Sequence, residues 1–95
     1  MEPLTVIARL TAKDGSEEKL RGVLQGLVAP TRAEAGCLTY ELHRSHDQPN
    51  LFMFTESWAS RSAWEAHMKA PHLVAFGEQQ AELCHSWELF TGEKI

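Results

Sequence analysis

The chain has 95 residues, 43% of them hydrophobic and 23% charged, and a formal net charge of −4. Composition and length describe one globular domain, 1–95, whose core is small enough that a second subunit would help to stabilise it. Lys and Arg are scattered rather than clustered, which argues against a nucleic-acid partner, and no apolar run approaches the ~20 residues needed to cross a bilayer.

Leu4 to Ala12 alternates, with Leu4, Val6, Ala8 and Leu10 on one face, and reads as a strand. Lys13-Asp14-Gly15-Ser16 breaks it, and either an Asp14/Glu17 capping box or Ser16 starts a helix. Leu20, Leu24, Leu27 and Val28 recur at helical spacing, so the helix is expected from about Ser16 to Ala35, ending at Gly36. Pro30 lies inside that span and should kink or divide it. Cys37 to His43 is a second strand with Leu38, Tyr40 and Leu42 on one face, and Leu51 to Trp58 a third, the two forming a hairpin. Ser60 or Ser62 caps a short helix to about Lys69. Pro71 opens another helix carrying Leu73, Phe76, Gln80 and Leu83, and Ser86 to Phe90 is a last strand.

The order β-α-β-β-α-α-β predicts an α+β, ferredoxin-like split βαβ fold with a four-stranded antiparallel sheet and helices on one face. The opposite sheet face carries Ile7, Cys37, Leu51 and Met53, which stacking against a second copy would bury, so a homodimer is expected. Met1-Glu2-Pro3 lacks the features of a secretory signal, and the expected location is the cytoplasm. In that setting Cys37 and Cys84 read as free buried thiols.

The segments Glu34-Ala35-Gly36-Cys37-Leu38-Thr39-Tyr40-Glu41, Phe52-Met53-Phe54-Thr55-Glu56-Ser57-Trp58, His67 and Pro71-His72 make the chain resemble the antibiotic biosynthesis monooxygenase family of dimeric α+β barrels. The resemblance covers nearly the whole chain. It implies the fold more narrowly than the chemistry, because such proteins include cofactor-free oxygenases of quinols and anthrones, haem-degrading enzymes and an enzyme of a phosphorylated signalling sugar. Haem-degrading relatives carry an asparagine on the first strand, which Leu4-Thr5-Val6-Ile7-Ala8-Arg9 lacks.

Cofactor-free oxygenation needs an apolar slot for a flat ring, a proton acceptor and donors for a developing oxyanion. Tyr40, Phe52, Phe54, Trp58, Trp64 and Phe76 can line the slot, and Phe52, Phe54, Glu56 and Trp58 share one strand face. His72, at a helix start that disfavours the imidazolium, is the first candidate for the base. His67 shares the inward face of Ala63 and Trp64 and could instead bond a carboxylate. Glu56 is buried by alternation and must be protonated or paired, with a histidine or with Arg9. Trp58 and Trp64 serve the core, or donate an indole N–H to a ligand. Tyr40 could donate to an oxyanion, though a strand tyrosine more often keeps its tip in water.

No native metal site is expected: His67 and His72 are five apart across a helix break, not the four apart that shares a helical face. Gly15, Gly22, Gly26 and Gly36 are isolated, so no nucleotide-cofactor fingerprint is present. The reading is a cofactor-independent monooxygenase of a quinol-like or polyphenolic aromatic and O2. A non-catalytic binding module and an isomerase that deprotonates a small carbonyl compound are the alternatives.

Overall fold

The computed structural model describes residues 3–95, so Met1 and Glu2, and the reading of the N-terminus with them, lie outside it. The elements are β1 (Leu4–Ala12), α1 (Glu17–Arg32), β2 (Cys37–Arg44), β3 (Leu51–Trp58), α2 (Arg61–Met68), α3 (Pro71–Leu83) and β4 (Cys84–Gly92). The strands pair antiparallel in the order β2-β3-β1-β4, the ferredoxin-like α+β plan the sequence predicts. Alternation decides the core. Val6 and Leu10 of β1, Tyr40 of β2, and Phe52, Phe54 and Trp58 of β3 pack against Leu20, Leu24 and Leu27 of α1 and Phe76 and Leu83 of α3. Burying such side chains contributes about 1.5–3 kcal/mol each, which is where a domain this small finds its stability.

Three local departures have physical causes. α1 ends at Arg32 rather than Ala35 and is not divided, because Pro30 falls in its last turn, where the loss of one donor interrupts little. At its start the capping box does not form; Ser16 is the N-cap without a side-chain bond, and Glu17 and Glu18 favour the positive helix end. The third departure is a bulge in β2. Cys37 lies opposite Trp58 and Thr39 opposite Ser57, so Leu38 has no partner and is 54% exposed. One extra residue inverts parity, and Cys37 packs on the core instead of joining Ile7, Leu51 and Met53 on the outer face.

Downstream, Ser60 caps α2 by accepting the Ala63 N–H at 3.1 Å, and Pro71 occupies the first turn of α3. Between α1 and β2, Gly36 has φ +83°, and a Cβ there would sit 2.6 Å from the Cβ of Ala63. Glycine therefore both permits the backbone turn and lets α2 press against the α1–β2 corner. That contact brings the end of α2 over Glu34.

Candidate active site

Between the sheet and helices α2 and α3 lies a cavity of about 290 Å³. Tyr40, Phe54, Trp64 and Phe76 supply aromatic walls, Leu27, Leu73 and Met68 aliphatic ones, and Trp87, Glu88 and Leu89 of β4 form its edge. Roughly 150 Å³ accommodates a benzene, so there is room for one or two fused rings. Glu56, His67 and the Tyr40 phenol are the titratable groups set in this largely apolar lining, with Glu88 at its exposed edge.

His67 is fixed from behind. Its Nδ1 lies 2.7 Å from Glu34 Oε2, and its ring stands 4.7 Å from Trp58 and 5.6 Å edge-on from Tyr40. A carboxylate only accepts, so Nδ1 carries the hydrogen and Nε2 is left as the acceptor nitrogen. The same Glu34 oxygen accepts from His72 Nε2 at 2.9 Å, and Thr31 Oγ1 lies 3.2 Å from that nitrogen. Glu34 thus joins the loop after α1 to the last turn of α2 and the first turn of α3.

Glu56 is satisfied within its own strand, where the Trp58 indole N–H donates to its Oε1 at 2.9 Å. Burial pushes this carboxyl up to about 7, against the lowering pull of that N–H and with a further push from the Glu34 charge. Burial lowers the pKa of His67, outweighing the opposing pull of Glu34. It also drives Tyr40 well above the ordinary phenol value. Near neutrality the cavity wall thus offers a neutral imidazole, a carboxyl that retains much of its proton and an un-ionised phenol. Environments that push two groups apart in this way separate a proton acceptor from a proton donor.

The structure brings Tyr40, Phe54, Glu56, Trp64, His67 and Phe76 onto one cavity, as the strand and helix patterns suggest. It does not bring His72 or Trp58 to that wall. His72 sits behind Glu34, and Trp58 is wholly buried with its N–H committed to Glu56. Glu56 pairs with neither a histidine nor Arg9, and Tyr40, only 2% exposed, does not keep its tip in water. Sequence reasoning passed over Glu34 as a site residue; its place two residues before a left-handed glycine was the available signal. It also passed over Trp87 and Leu89, which complete the cavity from the far edge of the sheet.

Fold and cavity together define a small ferredoxin-like α+β protein with an aromatic, acid–base-equipped pocket. A sequence profile described as Antibiotic biosynthesis monooxygenase matches residues 3–79, and the chain belongs to that family. Among its relatives, the Mycobacterium tuberculosis protein named "Putative monooxygenase Rv0793" is 38% identical over 81 residues, 85% of this chain and 79% of the relative. The solved structure of Rv0793 superposes with a TM-score of 0.92 at 31% identity, covering 98% of this chain and 95% of that one. The crystal structure of PA3566 from Pseudomonas aeruginosa gives a TM-score of 0.96 at 37% identity, with 100% and 96% covered.

Proposed function

We propose that the protein is a cofactor-independent monooxygenase of an electron-rich one- or two-ring aromatic, such as a hydroquinone or a small phenol. The observation that carries this reading is the pairing, on one apolar cavity wall, of a neutral His67 backed by Glu34 with a Glu56 that retains much of its proton. In the proposed reaction His67 Nε2 takes a phenolic proton, and the anion passes its electrons to O2. One oxygen atom bonds to ring carbon and the other leaves as water, so a hydroquinone plus O2 gives a hydroxyquinone plus H2O. Glu56 and the Tyr40 hydroxyl act as donors toward the departing oxygen. His72 steadies Glu34 and does not touch the substrate. Family membership and the monooxygenase name of a similar protein support the reaction class.

In this reading the working unit is a cytoplasmic homodimer. Trp87, Leu89 and Phe90 on edge strand β4 are 49%, 50% and 55% exposed, more apolar surface than an isolated edge strand should leave wet. Trp87 and Leu89 pair with Leu10 and Ala8 on the helix side at the cavity edge, so a second copy would also close the pocket. Light scattering behind a sizing column should return twice the chain mass; a monomer at micromolar concentration would count against it.

Oxygen uptake by metal-stripped protein across a panel of benzene- and naphthalene-based hydroquinones and phenols tests the activity. Uptake above the autoxidation blank, lost in His67→Ala and only reduced in His72→Ala, is the expected result. No uptake with any of them sinks the oxygenase reading and favours a binding module.

A further inference from the structure

More donors gather on Glu34 than the orientation of one base requires. A single carboxylate bond is enough to set the tautomer of a catalytic histidine. Here one carboxylate oxygen is shared by two imidazole nitrogens from different helices, and all three donor atoms lie within 4.8 Å of one another. We propose that Glu34, His67 and His72 form a binding site for one divalent transition-metal ion, zinc foremost. Each ring turns its Glu34-facing nitrogen from donor to ligand by moving a proton to its other nitrogen. Widening the 2.7 and 2.9 Å Glu34–imidazole separations by a few tenths of an ångström then makes room for an ion at the ~2.0–2.2 Å of zinc–nitrogen and zinc–oxygen bonds.

The donor set decides the class of ion. Two imidazoles and one carboxylate suit zinc, cobalt, nickel and copper, whereas magnesium and calcium prefer oxygen alone. Three protein ligands leave a further position for water, and Thr31 Oγ1 stands 3.2 Å from His72 Nε2, within reach of such a water. Access is from outside rather than through the cavity: the His67 side chain is 3% exposed, but Glu34 and His72 are 17% and 22% exposed. On the function proposed above, the ion would act as an inhibitor. Metal at Nδ1 of His67 places the ring hydrogen on Nε2, the atom that must accept the substrate proton. The site itself does not rest on that reading.

The test is titration of chelator-treated protein with Co2+ and then Zn2+, without any turnover assay. Expected are visible d–d absorption saturating at one Co2+ per chain, its loss on zinc addition, and a rise in Tm with zinc that magnesium does not reproduce. Glu34→Gln and His72→Ala should each weaken binding by about 100-fold or more, beyond what loss of an outer-shell partner does. His46→Ala, which removes an exposed turn histidine, should leave it unchanged. Absence of the cobalt bands and of the zinc-induced Tm rise overturns the proposal, as does binding that survives both ligand variants or disappears with His46→Ala. Should His72→Ala fail to fold, the near-isosteric Glu34→Gln carries the test. Neither readout consumes oxygen, so failure of the metal site is distinct from failure of the oxygenase reading.

Discussion

A half-buried carboxylate, Glu34, and a buried one, Glu56, are handled in opposite ways. Glu34 is held by two imidazoles from distant parts of the chain, whereas Glu56 is held by one indole two residues along its own strand. The first arrangement places two imidazole donors on one carboxylate oxygen. The second gives it one neutral donor in an apolar setting, and the carboxyl answers by holding its proton up to about pH 7. What a carboxylate becomes follows from its burial together with the number and reach of its donors.

Glu34→Ala should break that contrast most forcefully. It strips the shared partner from two histidines, one almost fully buried, and should cost about 3 kcal/mol, read from the urea midpoint. A smaller loss than that of Glu56→Ala at pH 8 would show that the contrast has been misread.

Glu56 should give the next largest effect, as a pH dependence. Its folded value of about 7 stands above the ordinary 4.5, so its contribution to stability is fully present below about 4.5 and is lost as pH rises through about 7. The shift corresponds to about 3 kcal/mol between those limits. Glu56→Gln mimics the protonated form and should lack this slope, becoming the more stable protein at pH 8. His67, whose pKa is lowered, contributes in the opposite direction: its stability is present above the ordinary histidine value and is lost as pH falls through its folded value. Subtracting the variant's melting curves from those of the wild type isolates Glu56.

Gly36→Ala tests whether the Glu34 arrangement depends on close docking of α2. Positive φ and the 2.6 Å approach to Ala63 should together cost about 2 kcal/mol, on the order of 10 °C in Tm. The His67 and His72 ring resonances should move with it. Trp58→Phe is the gentlest probe. It removes the one donor that favours ionised Glu56, should cost about 1 kcal/mol, and should carry the Glu56 titration, followed by carboxyl NMR, upward.

Which of these features the sequence discloses follows from range. Phe52, Phe54, Glu56 and Trp58 share a face by period two alone, so their burial and common side are legible locally. The Glu34 cluster is not, because it is closed by contacts 33 and 38 residues away. Its two histidines share no helix, so the i, i+4 rule rightly finds no pair and misses the one that packing makes. His72 drew attention through its helix-start position, but only the fold shows that Glu34 stands between it and the cavity. Element order survived because hydrophobic periodicity reports it directly; the β2 register did not, since one unpaired residue leaves no trace in composition.

That unpaired residue, Leu38, behaves like a single-letter insertion in a reading frame. Everything from Thr39 to Arg44 is already in frame with β3, and so is Cys37. Deleting Leu38 should therefore leave both sides of the ladder facing as they do now and remove only the bulged backbone between Cys37 and Thr39. At this one position in the strand the fold should tolerate a change in length better than an exchange of neighbours.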